Sequence, residues 1–232
     1  MTILAVTGLQ RERRLVAGPG VEAVAGGGDH ARLAATLDRL ASGMDGIISI
    51  GIAGALAPGL RPGEWVVATA VHAGGGAMPT DRDWTDRLVS RLPQAERGLL
   101  LGSDEMAATA AHKADLYRTT GAVAVDMESH IAARIARRHG LPFAAARVIS
   151  DASHRTLPPA ARVGMRPDGT MDLPAVLRSL LANPWQLPAM IRTGLEAERA
   201  FRALLRGHRT FGARLGAGLG GPDVGKLSSD VV

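Results

Sequence analysis

The sequence predicts an α/β domain, a three-layer sandwich in which helices cover both faces of a central β-sheet. Short apolar runs alternate with segments of helical apolar spacing, and clusters of glycine and proline separate them. The apolar runs are continuous rather than alternating, which is typical of strands buried on both faces. A chain of 232 residues, 46% of them hydrophobic, is long enough to bury one such core.

The predicted elements follow one another over the first 155 residues. Apolar runs predict strands at ILAV (3–6), VEAVA (21–25), GIISIGI (46–52), EWVVATAV (64–71), LLLG (99–102), AVAV (122–125) and FAAARVIS (143–150). Helical spacing predicts helices over 29–42, 84–92, 107–119 and 128–139. We therefore assign residues 1–155 to one α/β core.

The composition changes after that core. The loop RTLPPAARVGMRPDGTMD leads into two helical segments, 173–182 and 185–209. We expect residues 156–210 to form a loop and extra C-terminal helices that pack on the core, on a partner subunit or on a membrane. The glycine- and serine-rich end, 211–232, is predicted to be a flexible tail.

The net charge of +5 arises from the C-terminal part of the chain. Residues 155–214 hold ten arginines and four acidic residues, a balance of +6 against −1 for the remainder. Aromatic residues are only 3% of the chain and no recognition motif accompanies the arginines, so we do not expect a nucleic-acid partner.

The sequence also indicates a location. Cysteine is absent, which excludes disulfides and thiolate metal sites and favours a reducing cytoplasm. The first residues, MTILAVTGLQRERR, do not resemble a signal peptide, and no apolar run approaches the roughly 18 residues of a spanning helix. We expect a cytoplasmic protein that at most contacts the inner face of the membrane peripherally.

A glycine-rich turn, GGGD, follows the second predicted strand and precedes a helix. Backbone amides at Gly26, Gly27 and Gly28 can bind an anion there, because a helix N-terminus carries partial positive charge. The simpler alternative is that the glycines turn the chain and Asp29 caps the helix.

Further candidate residues stand at the ends of later strands. GIAGAL, with Ala53 and Gly54, is either a ligand-binding turn at the carboxyl edge of the sheet or only a tight turn. AVDMESH places Asp126 and Glu128 between the end of a predicted buried strand and the start of a predicted helix. Helix capping would explain either carboxylate, and binding of a polyhydroxylated ligand is the alternative.

RVISDAS ends a buried strand in Ser150 and Asp151. A carboxyl group at such a position can act as a general acid, although a capping role is the commoner explanation. Glu12, in the predicted loop after the first strand, would be merely solvated if taken alone. Because all these residues follow strands, they are predicted to gather at one edge of the sheet as a single site.

A metal site is not expected. His130, His139 and His154 lack the spacing of metal ligands, and no motif for a nucleotide or an organic cofactor is present.

The succession GIAGAL, RPGEWVVAT, GLLLGSD and AVDMESHIAARIARRHGLPFAAARVISD resembles the purine nucleoside phosphorylase and nucleosidase family, which includes methylthioadenosine/S-adenosylhomocysteine nucleosidase. The Met-Glu pair followed by Ser-Asp is its most specific part, and the likeness covers about residues 1–155. The GGGD loop and the segments RTLPPAARVGMRPDGTMD and LPAMIR are similar to the hopanoid-associated phosphorylase subgroup, whose substrate is adenosylhopane.

The resemblance implies a mixed sheet, a homo-oligomer and specific residue roles. Glu128 would bind the ribose hydroxyls, and Met127 would pack against the sugar. Asp151, held by Ser150, would protonate N7 of adenine. Asp126 would support the substrate site, and Ala53 and Gly54 would line it.

Two features leave the nucleophile open. The loop of Gly26, Gly27 and Gly28 would lie near phosphate or water, and Glu12 matches the glutamate with which nucleosidases activate water. The phosphate-binding arginines of phosphorylases have no clear match; Arg61 and Arg147 are candidates, and a structural ion pair is the alternative for Arg147. Met106 stands where relatives often place an aromatic residue against the base, and a methionine still offers a polarizable face.

The sequence therefore predicts an enzyme that cleaves the N-glycosidic bond of adenosylhopane and releases adenine in hopanoid side-chain biosynthesis. Phosphorolysis, with phosphate as co-substrate, is favoured and hydrolysis stays open; no other cofactor is expected. A nucleosidase for methylthioadenosine or S-adenosylhomocysteine is the alternative enzyme, and a non-catalytic nucleoside-binding protein is the alternative of another class. The helices within 173–209 could contact an anionic membrane or pack on a partner subunit.

Overall fold

The computed structural model describes residues 1–163, 166 and 168–218. Its strands are β1 (Ile3–Thr7), β2 (Val21–Ala25), β3 (Gly46–Ala55), β4 (Trp65–Ala73), β5 (Gly76–Pro79), β6 (Glu96–Gly102), β7 (Ala124–Asp126) and β8 (Phe143–Asp151). Its α-helices are α1 (Gln10–Val16), α2 (His30–Ala41), α3 (Arg82–Arg91), α4 (Ala110–Thr120), α5 (Ser129–His139), α6 (Pro159–Arg162), α7 (Leu173–Ala182) and α8 (Leu187–Phe211).

The strands form one mixed sheet, which confirms the predicted α/β fold. Strand β3 runs parallel to β1 and β8 and antiparallel to β7. Strand β4 runs antiparallel to β8 and parallel to β6, which in turn pairs with β7. Strands β3, β8, β4, β6 and β7 therefore close into a ring. The sequence does not predict this closure, because apolar runs identify strands without revealing which strands pair.

Helices cover both faces of the sheet, as the continuous apolar strands predict. Successive residues of β1 point to opposite faces: Leu4 and Val6 belong to the core cluster under α2 and α5, and Ile3 belongs to the cluster under α3 and α8. In the second cluster Trp84 and Phe201 pack beside the sheet. Because the strands are packed on both faces, their ends are held in place. The residues that directly follow each strand are positioned by this packing.

The helix α1 corrects one sequence prediction. Glu12 was predicted to lie in a loop, and it lies instead in the first turn of α1. Its Oε2 accepts hydrogen bonds from the backbone N–H groups of Gly8 (2.8 Å) and Leu9 (2.7 Å), which would otherwise be unpaired at the helix start. The helix escapes prediction because QRERRLV contains too few apolar residues to show helical spacing. Strand β5 and helix α6 are also absent from the sequence prediction.

The C-terminal segment packs on the core through α8 but leaves α7 exposed. Ala200, Phe201 and Leu204 of α8 are buried beside the sheet, whereas no residue of α7 is buried. Among the described residues, no helix has the length and apolar character needed to span a membrane.

The predicted flexible tail of residues 211–232 differs from the structure in its first part. Phe211 and Leu215 are fully buried, and the Nε1 group of Trp84 donates a hydrogen bond to the carbonyl oxygen of Leu215 (3.0 Å). Residues 211–218 therefore belong to the packed domain. They supply the buried Trp84 indole with apolar neighbours and with a hydrogen-bond acceptor. Residues 219–232 lie outside the described part.

Two glycines of α8 give a matched test of this packing. A Cβ atom at Gly207 would lie 2.3 Å from Cζ2 of the Trp65 ring, whereas a Cβ atom at Gly194 would meet no atom within 4 Å. We expect Gly207→Ala to lower the free energy of unfolding by about 1–3 kcal/mol through overpacking. Gly194→Ala should raise it by up to about 1 kcal/mol, because alanine is the better helix former. Urea denaturation measures both, and equal effects would contradict the close contact between α8 and β4.

Candidate active site

A cavity of about 370 Å³ opens at one edge of the sheet, and strands β3, β7 and β8 end around it. Among the described residues that line it, the charged ones are all acidic: Glu12, Glu105, Asp126, Glu128 and Asp151. Ala53, Gly54, Met106, Met127 and Ser150 also line it, so most of the predicted site residues do come together.

Asp126 is the structural member of this group. Its Oδ1 accepts hydrogen bonds from the backbone N–H groups of Glu128 (2.8 Å) and Ser129 (2.7 Å), and its Oδ2 accepts one from the Ser129 hydroxyl (2.6 Å). Asp126 therefore pairs the N–H groups of the turn that leads into α5 and fixes the backbone that carries Glu128. Glu128, by contrast, makes no side-chain capping hydrogen bond, and it lines the cavity.

Arg147 is fully buried behind the cavity and joins several of these elements. Its Nη2 donates to the Ser49 hydroxyl (2.6 Å), to the Ser129 hydroxyl (3.2 Å) and to Asp126 Oδ1 (3.1 Å), and it lies 3.5 Å from Glu128 Oε2. The guanidinium does not line the cavity. It supplies the positive charge that lets buried carboxylates sit together.

The Glu128 carboxyl is 5% exposed at the N-terminus of α5. Burial raises its pKa to about 8; the charge of Arg147 acts against that rise, and Asp126 and Glu12 add to it. Its environment therefore makes this carboxyl a group that changes charge near neutral pH.

Glu12 is held by backbone donors on both oxygens. In addition to the two bonds at the start of α1, its Oε1 accepts a hydrogen bond from the Ile52 N–H (2.7 Å). Burial raises the pKa of Glu12, and Arg147 and the three N–H groups act in the opposite direction. A Cβ atom at Gly51 would lie 2.6 Å from Glu12 Oε1 and 2.8 Å from Arg147 Nη1. Only glycine permits β3 to pass this close to both groups.

Asp151 ends β8 and has a partner on each oxygen. The Ser150 hydroxyl donates to its Oδ1 (2.6 Å), and the buried Lys113 ammonium of α4 pairs with its Oδ2. Sequence reasoning missed Lys113. The available signal was its rarity, since Lys113 and Lys226 are the only lysines in a chain rich in arginine.

The glycine loop lies beside the site and not in the cavity wall. The N–H groups of Gly26 and Gly27 donate to the carbonyl oxygens of Thr7 (2.7 Å) and Gly8 (2.9 Å), which occupies them. Asp29 accepts a hydrogen bond from the N–H of Arg32 (3.0 Å) and so caps α2. Chain turning and capping therefore account for GGGD.

The C-terminal segment supplies a mostly apolar part of the cavity lining. Most of its lining residues are more exposed than Glu12, Asp126, Glu128 and Asp151, so this part forms the mouth of the cavity. Leu157, Met171, Val176, Met190 and Ala197 contribute to its lining. This segment is tied to the start of α1, because the Gln10 N–H donates to the Gly169 carbonyl oxygen (3.1 Å) and the Gln10 side chain donates to that of Asp168 (2.9 Å). The sequence shows these helices but not their place at the cavity mouth.

In the described part of the chain, no group of three or more His, Cys, Asp or Glu side chains could hold a metal ion. His130 Nε2 lies 3.0 Å from Asp104 Oδ1, and His139 Nε2 lies 2.9 Å from Asp38 Oδ1. The two histidines thus have separate carboxylate partners.

Comparison with known proteins identifies a sequence family and structures of similar fold. A sequence model of the phosphorylase superfamily matches residues 5–182. A 5′-methylthioadenosine/S-adenosylhomocysteine nucleosidase of Helicobacter pylori aligns over 93% of this chain and 98% of its own, at 16% identity and a TM-score of 0.63. The corresponding nucleosidase of S. pneumoniae covers 91% of this chain and 100% of its own, at 17% identity and a TM-score of 0.61.

The futalosine hydrolase of Helicobacter pylori aligns over 65% of this chain and 88% of its own, at 17% identity and a TM-score of 0.56. At such identities the structural likeness concerns the fold alone. A search of curated protein sequences finds no match to the chain.

The pKa of Glu128 predicts a pH dependence of stability. Its folded-state pKa of about 8 lies above the ordinary value of 4.5, so the folded protein binds the proton more tightly than the unfolded chain does. This contribution to the free energy of unfolding is fully present below the ordinary pKa and is lost as the pH rises through about 8. We expect Glu128→Gln to remove a decline of at most about 1.4 kcal/mol per pH unit over that window.

Urea denaturation at a series of pH values measures the decline. Glu22→Gln, at an exposed position of β2, is the matched control. Parallel stability curves for wild type and Glu128→Gln would contradict the raised pKa.

Proposed function

Because the chain belongs to the phosphorylase superfamily, we propose that it cleaves the N-glycosidic bond of an adenosine-type nucleoside with a large apolar 5′ substituent. The observation that carries the proposal is one cavity with carboxylates at its base and an apolar mouth. Within this class adenosylhopane is the proposed substrate, as the resemblance to the hopanoid-associated subgroup implies.

The carboxylates divide the chemistry among them. Cleavage of the bond to N9 leaves negative charge on adenine and positive charge on the ribose ring. Asp151 passes a proton to N7, which relieves the first charge. Glu128 binds the ribose hydroxyls and, in its ionised form, stabilises the second. Met127 and Met106 provide apolar contacts for sugar and base. Each of these residues lines the cavity.

Water is the proposed nucleophile, in place of the phosphate favoured by the sequence. A phosphate would have to bind in a cavity whose described lining residues include no cationic side chain to pair with it. The amides of Gly26 and Gly27 are already bonded to Thr7 and Gly8. Glu12 is a buried carboxylate with a raised pKa at the same cavity, which suits a general base for water.

The apolar mouth separates the proposed substrate from the smaller alternatives. The nucleosidases of Helicobacter pylori and S. pneumoniae are named for methylthioadenosine and S-adenosylhomocysteine, whose 5′ groups are short or charged. Here Met171, Val176 and Met190 extend the wall outward with apolar atoms. Burying a long hydrocarbon there contributes about 0.8 kcal/mol for each CH₂ group.

The same helices carry an exposed apolar surface, defined here as Leu173, Leu177, Leu181, Trp185, Leu187, Ile191 and Leu195, with exposed fractions between 49% and 91%. Its leucines recur every four residues along α7, and α8 continues the stripe. Arg178 and Arg192 lie among them. Apolar side chains beside cations suit the surface of an anionic bilayer, in which a lipid substrate would reside.

Adenine release tests the proposed reaction. We expect wild-type enzyme to release adenine from adenosylhopane and from 5′-alkylthioadenosines, with KM falling as the alkyl chain grows from methyl to decyl. The rate should not depend on added phosphate, because water is the nucleophile. Asp151→Asn should lower kcat by at least about tenfold, since general acid catalysis contributes about 10²–10⁴-fold.

Other results would change the assignment. A requirement for phosphate would establish phosphorolysis. A preference for the methyl compound would favour the smaller nucleosidase substrates. Tight binding of adenosine without adenine release from any compound would indicate a non-catalytic nucleoside-binding protein and overturn the proposal.

Vesicle flotation tests the membrane surface. We expect the wild-type chain to float with phosphatidylglycerol vesicles and to stay in solution with phosphatidylcholine vesicles. Trp185→Glu should reduce flotation several-fold, because the 91% exposed indole is the most prominent member of the surface. Tyr117→Glu, at another exposed aromatic position, is the control. A wild-type chain that never floats and instead forms an oligomer dissociated by Trp185→Glu would assign the surface to a second copy.

A further inference from the structure

Lys113 is a fully buried ammonium directly behind the candidate acid. Besides the ion pair with Asp151, its Nζ donates to the carbonyl oxygens of Ala152 (3.2 Å) and Arg155 (3.0 Å). These three acceptors use all three N–H groups of a lysine ammonium. In the described part of the chain, Asp151 is the carboxylate with which Lys113 forms an ion pair.

The position of α4 makes this contact specific. The helix start is tied to the segment after β8, because the Leu157 N–H donates to the Ala108 carbonyl oxygen (2.8 Å) and the Ala110 N–H donates to the Thr156 hydroxyl (3.1 Å). Lys113 lies one turn further along the same helix. Since a buried lysine is costly unless it is paired, a purely structural helix contact would be made more cheaply by an apolar residue.

The ion pair with Lys113 bears on the source of the proton that Asp151 would give to adenine N7. Asp151 faces the cavity with one oxygen bonded to Ser150 and the other paired with an ammonium, the arrangement of an ionised carboxylate. A carboxylate has no proton of its own to give to adenine. An N–H group of Lys113 already points at the Oδ2 atom of Asp151.

We propose that Lys113 is a positioning residue that supplies, through Asp151, the proton taken up by the leaving purine; this rests on the proposed function. As the C1′–N9 bond breaks, its electron pair passes to adenine. Asp151 first takes a proton from the Lys113 ammonium and then passes that same proton to N7. Water adds to C1′ and loses its proton to Glu12. After release, Glu12 returns a proton to solvent and the Lys113 amine regains one, which restores the enzyme.

Two substrates that differ in their leaving group test the relay. One is a 5′-alkylthioadenosine, and the other is the 4-nitrophenyl riboside with the same 5′ substituent, whose nitrophenolate leaves without a proton. We expect Lys113→Met to lower kcat on the adenosine compound by at least about 30-fold, within the usual range for general acid catalysis. On the nitrophenyl riboside, kcat should stay within about threefold, since that departure needs no general acid.

Lys113→Arg separates charge from proton supply. An arginine keeps a cation beside Asp151 but does not give up its proton. The relay therefore predicts that Lys113→Arg stays as impaired as Lys113→Met on the adenosine compound and active on the nitrophenyl riboside. Recovery of adenine release by Lys113→Arg would overturn the relay, and equal losses on both substrates would reduce Lys113 to a structural residue.

A measurement on wild-type enzyme covers variants that do not fold. In mixtures of H₂O and D₂O, the relay predicts one more proton in transfer for the adenosine compound than for the nitrophenyl riboside. The dependence of kcat on the D₂O fraction should therefore be more strongly curved for the adenosine compound. The same dependence for both substrates would overturn the relay. Absence of adenine release by wild type would instead defeat the proposed function, so the two failures are distinguishable.

Discussion

The site depends on one buried cation surrounded by acids. Arg147 is fully buried, and its Nη2 joins Ser49 of β3, Asp126 of β7 and Ser129 of α5. Without a positive charge there, Glu12, Asp126 and Glu128 would repel one another in a poorly solvated space. The Arg147 guanidinium therefore holds β3 and the end of β7 close together. It also explains why Gly51 has no side chain, since β3 passes between Arg147 and Glu12.

The sequence predicts the parts of the molecule in which local pattern and burial agree. Strands buried on both faces produce continuous apolar runs, so most strands and the residues that follow them can be read directly. Ser150 and Asp151 stand out because they interrupt such a run. Helix α1 is missed because its charged residues show no apolar spacing, although Glu12 was identified as a candidate.

Long-range contacts are what the sequence leaves out. Lys113 and Asp151 are 38 residues apart and meet only because α4 packs against the segment that follows β8. Trp84 and Leu215 are further apart still, which is why the tail was predicted to begin too early. Closure of the sheet into a ring has the same origin, since strand register depends on pairing across the whole chain.

The apolar mouth of the cavity and its carboxylates come from different parts of the chain. The carboxylates that line the cavity lie within residues 1–151, whereas Met171, Val176 and Met190 belong to a later stretch of chain. One of its links to the start of α1 is the backbone hydrogen bond from Gln10 to Gly169, which does not depend on the side chains of that stretch. Exchange of the C-terminal segment could therefore alter substrate range while the acids keep their geometry. The part of the chain that would recognise the substrate and the part that carries the carboxylates can therefore change independently during evolution.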